Sequence, residues 1–292
     1  MSFLTTLING LGLGSVYAII ALGYSMVYGI SKMLNFAHGD VIMVGGYMSF
    51  LAMTQLNLHP FIAVLIAVVV CTVLGIIIER LAYKPLRGAS SLAVLITAIG
   101  VSYFLQNAAL LLWGSAPKSY TSVFESIGDI HIGEMIISPE TIFTIAACVI
   151  IIIALMLFTT KTKAGKAMLA VSEDKAAAQL MGINVNSSIS LTFAIGSGLA
   201  AIAGVLLCSS YPLLMPTTGA MPGIKAFTAA VFGGIGSIPG AFLGGLLLGI
   251  IEIFTRAYVS TEISDAIVFG CLVVVLLVKP TGLLGKNIQE KV

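Results

Sequence analysis

Charged residues are scarce in this chain of 292 residues. Asp, Glu, Lys and Arg make up 9% of the sequence and hydrophobic residues 59%, whereas an ordinary soluble domain carries roughly 25% charged residues. A soluble protein of this length must cover its surface with polar side chains, which this composition does not supply. The scarcity of charge therefore excludes a soluble enzyme, a disordered chain, a nucleic-acid-binding protein and a disulfide-stapled secreted domain, and it predicts a polytopic membrane protein.

Cysteine and histidine are also few, and their spacing fits no metal site. The four cysteines lie far apart inside apolar runs and are expected to pack as small hydrophobic residues: Cys71, Cys148, Cys208 and Cys271. The sequence therefore predicts no metal and no cofactor bound by this chain.

No phosphate-binding loop occurs in the sequence. The nearest candidates, Gly165-Lys166 and Gly285-Lys286, lack both the upstream Gly and the following Ser or Thr of the motif whose backbone amides cradle phosphates. No Ser/His pair or paired Asp residues stand at a spacing familiar from hydrolases. The chain is therefore predicted not to be an enzyme and not to hydrolyse ATP by itself.

Long intervals without charge mark the expected membrane spans, since a bilayer core requires roughly 20 apolar residues of helix. A polar turn at residues 55–60 divides one long interval into two spans. The sequence predicts an all-α polytopic helical bundle in a single membrane domain, residues 1–292, with about eight or nine passes. The expected helices cover residues 4–30, 41–56, 61–82, 91–113, 141–160, 190–212 and 264–278, with an irregular region at 222–258.

Positive charges orient these spans, because loops rich in Lys and Arg stay in the cytoplasm. Residues 79–87, residues 160–175 and the tail from Lys279 onward are basic, so all three are predicted to be cytoplasmic. Residues 114–140 carry four acidic residues against one Lys and are predicted to face outward. Counting passes then places the N-terminus outside.

Glycine and proline interrupt the irregular region. Gly234, Gly236 and Pro239 are unfavourable within a helix, because glycine is flexible and proline lacks an amide donor. We predict a short helix at 223–232, a break, and a full helix at 240–258. Non-helical backbone at membrane depth is buried in protein or lines a polar cavity, so the break is interpreted equally as a tightly packed loop or as part of a translocation path.

A polar segment, Asn35-Phe36-Ala37-His38-Gly39-Asp40, separates two apolar helices. Ionisable groups in a bilayer are costly unless they meet a partner or water. We favour a structural interpretation, in which Asn35 and Asp40 cap helix ends and His38 pairs with Asp40. Gly39 then permits a tight turn. The alternative places this segment on the pathway or at a contact with a partner.

Glu252 and Arg256 stand four residues apart in a predicted span. At this spacing two side chains face each other on one side of a helix and can form an ion pair. We interpret the pair as structural, at the outer end of the span, rather than as a substrate ligand.

The cytoplasmic loop at residues 160–185 is predicted to contain a short helix. Ser172 is expected to cap this helix, and Glu173 and Asp174 would lie at the positive end of its dipole. Gly182 is expected to end it. Three residues at that end form an apolar tip that no membrane covers: Leu180, Met181 and Ile183. Such a patch usually marks a protein partner; the alternative is an amphipathic helix on the inner leaflet.

Five stretches of the chain together carry a resemblance to a known family. They are residues 14–24 (Gly-Ser-Val-Tyr-Ala-Ile-Ile-Ala-Leu-Gly-Tyr), 35–40, 165–184, 232–240 (Phe-Gly-Gly-Ile-Gly-Ser-Ile-Pro-Gly) and 279–285 (Lys-Pro-Thr-Gly-Leu-Leu-Gly). Over essentially its whole length the chain resembles the permease subunits of branched-chain amino-acid ABC importers, of the LivH type. The resemblance implies a multi-pass protein of the bacterial inner membrane, with permeases for urea or short amides as the alternative.

The resemblance also implies partners. In that family the cytoplasmic loop carries a coupling helix that docks into an ATPase subunit, so Gly165, Lys166 and the apolar tip would belong to this contact. Two ATPases would hold ATP and Mg²⁺, and a second, related permease would complete a heterodimer. An extracytoplasmic binding protein would deliver substrate to the outward loops, residues 114–140 and 212–222.

One residue departs from the family pattern, and one other class of transporter remains open. Leu169 stands where the family often has a basic residue, so the contact with the ATPase would be made otherwise, for example by Lys166. The other class is a secondary transporter in which His38, Asp40 and Glu252 relay protons. It predicts uptake by this chain alone under a pH gradient, without ATP.

Overall fold

The structure is a computed structural model that describes residues 3–125, 127–132 and 135–285. Residues 286–292 of the predicted cytoplasmic tail lie outside the described residues. Within them the chain forms the following helices: α1 (Phe3–Ser31), α2 (His38–Thr54), α3 (Pro60–Ile78), α4 (Ser91–Trp113), α5 (Pro139–Lys161), α6 (Lys163–Glu173), α7 (Lys175–Leu180), α8 (Val185–Ser210), α9 (Ala220–Gly233), α10 (Ile238–Tyr258) and α11 (Ser264–Val278). A π-helical turn and a 3₁₀ turn extend α3 through Glu79–Tyr83 and Lys84–Leu86.

The predicted all-α membrane bundle is confirmed, but the predicted number of passes is too high. Among the described residues, six helices are long and apolar enough to cross a bilayer: α1, α3 with its extension, α4, α5, α8 and α10. Helices α2, α9 and α11 have 17, 14 and 15 residues. They are shorter than the roughly 20 residues that a span requires.

The short helices α2 and α9 begin inside the bundle instead of at its surface. The His38 ring at the start of α2 packs against Gly23, well before α1 ends at Ser31. Gly219, immediately before α9, packs against Gly39 of α2. Each chain segment therefore enters the bundle as irregular backbone that other helices cover, which is the condition under which such backbone is tolerated at membrane depth.

Small residues bring the central helices close together. Gly14 of α1 lies against α10, where an added Cβ would stand 2.7 Å from the Leu246 carbonyl oxygen. Gly45 of α2 faces Ala201 of α8 in the same way, with 2.7 Å from an added Cβ to the Ala201 Cα. These contacts leave no room for any side chain, so glycine is what permits the backbones to approach.

Short antiparallel strands join the loops on the side that is predicted to face outward. Strand β1 (Lys118–Ser119) pairs with β4 (Leu213–Leu214), and β2 (Ile130–Ile132) pairs with β3 (Met135–Ile137). The Tyr120 hydroxyl lies 2.8 Å from Ser49 Oγ of α2. The two predicted outward loops therefore contact each other and the end of α2.

Candidate functional site

The segment that is predicted to be cytoplasmic, residues 160–185, contains two consecutive helices, α6 and α7, where the sequence predicts one. Thr162 caps α6, because its Oγ1 accepts a hydrogen bond of 2.9 Å from the Gly165 amide. Ser172 lies inside α6, and its hydroxyl donates to the Leu169 carbonyl oxygen at 2.6 Å. The prediction that Ser172 caps a helix is therefore wrong: α6 begins ten residues earlier than expected, so the Ser172 hydroxyl bonds to the preceding turn.

Asp174 is the residue that caps α7. Its carboxylate accepts hydrogen bonds of 2.8 and 2.9 Å from the amides of Ala176 and Ala177. Glu173 is the exposed last residue of α6. Gly182 ends the segment with a φ of +80°, a conformation that favours glycine. The predicted end of the helix is confirmed, while its start lies at Asp174 because a carboxylate between two helical segments satisfies two amides at once.

The apolar tip is smaller than the sequence predicts. The side chains of Leu180 and Met181 are 89% and 82% exposed, whereas Ile183 is partly buried and packs against the hydrophobic core. Including Ile183 in the tip was therefore wrong, since the turn at Gly182 directs the chain back onto the bundle. Two large apolar side chains at the end of a capped helix remain exposed, a kind of patch that usually marks a protein partner.

Gly165 and Lys166 have different surroundings on α6. Gly165 is buried, and a Cβ at this position would collide with the backbone of Phe158 and Thr159 at the end of α5. Lys166 is exposed, and Leu169, one turn later, is 44% exposed. Gly165 therefore fixes α6 against α5, and a basic group is available one turn from Leu169.

Lys175 connects α7 to the central helix of the bundle. Its Nζ donates a hydrogen bond of 2.8 Å to the carbonyl oxygen of Ser31, the last residue of α1. Partial burial lowers the pKa of the Lys175 ammonium from its ordinary value, and the positive charges of Arg87 and Lys32 lower it further. A cation at a helix C-terminus also interacts favourably with the helix dipole.

The polar segment at residues 35–40 is buried, with partners that the sequence did not reveal. Asn35 Oδ1 accepts a hydrogen bond of 2.9 Å from the Tyr83 hydroxyl. Asp40, in the first turn of α2, accepts one of 2.8 Å from Gln106 of α4. Ala37 occupies the cap position of α2 and provides no side-chain hydrogen bond. The predicted capping roles of Asn35 and Asp40 are therefore wrong.

The predicted pairing of His38 with Asp40 is also wrong. The His38 ring instead contacts the Tyr24 ring edge-to-face, with 4.6 Å between centroids. Gly39 is pressed against Gly219 and Gly223 at the start of α9. The residues of the segment therefore contact four different parts of the bundle. A buried polar group bonds to the partner that tertiary packing brings near it, whatever its neighbours in sequence.

The break between α9 and α10 is a tightly packed joint. Gly234 and Gly236 have φ values of +111° and +91°, and Pro239 lies in the first turn of α10. The Gly236 amide donates a hydrogen bond of 2.8 Å to Ser25 Oγ of α1. The amide of Leu284 donates a hydrogen bond of 2.8 Å to the Gly233 carbonyl oxygen. These contacts favour the first interpretation of the break, a packed loop, because its backbone groups are satisfied by protein.

A buried charge network surrounds Glu252, and the sequence revealed only one of its pairs. The predicted pair with Arg256 is confirmed. In addition, the Glu252 carboxylate accepts a hydrogen bond of 2.7 Å from Lys225 Nζ of α9 and one of 2.9 Å from the Tyr17 hydroxyl of α1. Lys225 also contacts Asp265 of α11, at 2.6 Å. One carboxylate that is fully buried therefore connects helices far apart in sequence. A lysine inside an otherwise apolar helix was the available signal for it.

Comparison with known proteins identifies the family of this chain. The model of the family described as "Branched-chain amino acid transport system / permease component" matches residues 6–276. The chain is 45% identical to the high-affinity branched-chain amino acid transport system permease protein BraD of Pseudomonas aeruginosa, over 99% of this chain and 98% of that protein. It is 45% identical over the same shares to the permease protein LivH of Escherichia coli K12. A probable LivH of Methanocaldococcus jannaschii is 28% identical, over 93% of this chain and 89% of that protein.

Proposed function

Because the chain belongs to the family of branched-chain amino acid transport permease components, we propose that it is the membrane-spanning subunit of an ATP-driven importer of branched-chain amino acids. As a permease component it is a non-catalytic, multi-pass protein of the bacterial inner membrane. Two cytoplasmic ATPase subunits hold ATP and Mg²⁺ in this proposal, and a second, related permease completes the membrane part.

The observation that carries the proposal is the exposed tip of α7. Leu180 and Met181 stand free of the bundle, while Asp174 and Gly182 fix the two ends of the short helix. A helix whose ends are fixed keeps its apolar side chains in one orientation, as a docking surface requires. The ATPase subunits are the proposed occupants of this surface.

Motion of α7 would reach the bundle by two routes. Lys175 joins α7 to the end of α1, and α1 packs along α10, α8 and α9. Gly165 holds α6 against α5. In alternating access, closure of the ATPases displaces α6 and α7, and the central helices follow. An external binding protein delivers the amino acid on the opposite side, where β1 and β4 join the outward loops.

Replacing the tip tests this proposal. Leu180→Asp with Met181→Asp places two charges on the docking surface, so we expect co-purification of the ATPases to fall about tenfold or more and ATP-dependent leucine uptake in proteoliposomes to be lost. The matched control is Leu56→Asp, at a leucine that is 64% exposed in the loop between α2 and α3. The control should retain both the ATPases and uptake.

Two results would contradict the proposal. The first is unchanged ATPase binding and uptake in the Leu180→Asp, Met181→Asp variant. The second is uphill uptake by the purified chain alone under a proton gradient, which a secondary transporter would show. Among the described residues, no hydrogen bond joins His38, Asp40 and Glu252 to one another, so the contacts do not favour a proton relay through these three groups.

A further inference from the structure

A cavity of about 290 Å³ lies between the ends of α1, α8, α9 and α10 that are predicted to face outward. Its inner wall is formed by side chains that are at least 93% buried, among them Leu13, Leu207 and Lys225. Its rim includes Tyr211 and Met221, which are 44% and 45% exposed. The cavity is therefore open to the outside at the rim and closed by the packed helices beneath.

The charged residues that line this cavity are both cationic. Lys225 and Arg256 contribute to its wall, whereas Glu252 and Asp265, which pair with Lys225, do not. Glu252 is fully buried behind the two cations and contacts both of them. The carboxylate thus holds the two positive groups in place. The two cations and the two carboxylates balance in formal charge, but among the residues that line the cavity only the cations are charged.

The Arg256 guanidinium keeps a hydrogen-bond donor that is not used within the charge network. Arg256 uses Nη2 for its bond to Glu252, while its buried Nε has no acceptor among the described residues. The first turn of α9, with Met221 and Pro222, also lines the cavity. Gly219 occupies the cap position without a side-chain hydrogen bond, so the positive end of the α9 dipole lies at the cavity wall. A guanidinium with free donors and the positive end of a helix dipole both favour a carboxylate.

The remainder of the wall is mostly apolar, and its hydroxyl groups belong to Tyr17, Tyr211 and Thr218. Leu13, Leu207 and Leu213 contribute aliphatic surface, and Met221 adds a flexible thioether that adapts to branched shapes. A ligand with a carboxylate at one end and an uncharged aliphatic group at the other matches this division.

We propose that this cavity is an outward-facing site for the transported amino acid, in which Arg256 and Lys225 bind the carboxylate and Leu13 and Leu207 contact the aliphatic side chain. The inference rests on the proposed function and adds the place where the permease first holds its substrate. Because no acidic side chain lines the cavity among the described residues, the ammonium group of the ligand contributes less to binding than its carboxylate.

Thiol protection tests the site directly. In the assembled transporter in nanodiscs, without the binding protein, Met221→Cys is introduced together with Cys271→Ser, which removes the cysteine that is not buried. The rate of modification by a membrane-impermeant methanethiosulfonate is measured with leucine, 4-methylpentanoate or 3-methylbutylamine. We expect leucine and the acid to slow modification severalfold and the amine to leave it unchanged. Leu56→Cys, at an exposed residue that does not line the cavity, should react at one rate throughout.

Three further variants examine the cationic wall and the available space. Arg256→Gln should raise the leucine concentration for half-protection about tenfold, the loss expected for a hydrogen bond to a charged group, and Arg256→Lys should recover part of it. Since Arg256 also supports Glu252, Thr218→Trp provides a variant that fills the cavity rim and leaves the ion pairs intact. It should abolish protection.

The possible outcomes separate this inference from the proposed function. Equal protection by the amine, or no protection by leucine in a preparation that imports leucine with ATP and the binding protein, would overturn the site and leave the importer function standing. Absence of ATP-dependent uptake by the parent chain in the complete transporter would contradict the function and the site together. Protection by leucine and the acid alone, lost in Arg256→Gln and Thr218→Trp, would support the site.

Discussion

The innermost helices and the outermost helices of this bundle are built from different residues. In the most apolar stretch of α8, 78% of the residues are buried, against 17% in α5. Residues 194–204 of α8 are Ala-Ile-Gly-Ser-Gly-Leu-Ala-Ala-Ile-Ala-Gly, whereas residues 149–153 of α5 are Val-Ile-Ile-Ile-Ile. Lipid tails are as apolar as leucine, so large aliphatic residues gain little by facing protein instead of lipid. The interior is therefore marked by small residues and the outside by large ones.

The largest effect is expected where α1 meets α10. In Gly249→Leu the new side chain would collide with the backbone of Gly14, and no rotamer avoids a backbone atom. We expect α1 and α10 to separate, with a loss of more than about 3 kcal/mol in the free energy of unfolding. Thermal unfolding of the purified chain in bicelles, together with the yield of monodisperse protein, measures this loss.

Gly100→Leu is the matched control on the lipid side. Gly100 lies in α4, and a Cβ there would meet no atom within 4 Å. We expect its unfolding midpoint to equal that of the parent chain or to rise slightly, because leucine favours a helix more than glycine does. If Gly249→Leu were tolerated as well as Gly100→Leu, the close approach of α1 and α10 would be wrong.

The next largest effect on the free energy of unfolding is expected from the loss of a buried charge. Glu252 is fully buried, whereas Glu262, beyond the end of α10, is exposed. Glu252→Gln leaves Arg256 without its anionic partner, and removal of one member of a buried pair costs about 3 kcal/mol. Glu262→Gln should change the free energy of unfolding by less than about 0.5 kcal/mol. Equal unfolding midpoints for the two variants would show that the buried network does not stabilise the bundle.

The positions of the apolar helices could be predicted from the sequence to within a few residues, whereas α6 was missed. Intervals without charge placed α4 at residues 91–113, where the structure has it, and Gly234 to Pro239 placed the break before α10. The count of passes failed at α2, α9 and α11, which are shorter than a span requires. Helices α2 and α9 start inside the bundle, and composition does not report the depth at which a helix begins.

The candidate sites could be predicted only where they depend on neighbours in sequence. The end of α7 at Gly182 and the pair of Glu252 with Arg256 are local features, and both are confirmed. Lys225 reaches Glu252 from another helix, and no spacing rule connects residues on separate helices. The prediction that Ser172 is a helix cap failed for a local reason. Thr162 and Asp174 compete with Ser172 as caps, and the helix boundaries follow those two residues.

The smallest expected effect on the free energy of unfolding comes from shortening a leucine, and it distinguishes the contribution of close packing from that of apolar surface. Leu248 of α10 is fully buried and Leu111 of α4 is 87% exposed, so the same change to Ala removes the same apolar atoms from protein contacts in one case and from lipid contacts in the other. Lipid chains close around the shortened Leu111, whereas helices fixed by glycine contacts cannot close around Leu248 and leave a cavity. We expect Leu248→Ala to cost about 2 kcal/mol and Leu111→Ala less than about 0.5 kcal/mol, measured by thermal unfolding in the same bicelles. Equal costs would mean that transfer of apolar surface, and not the fit between the inner helices, stabilises this protein.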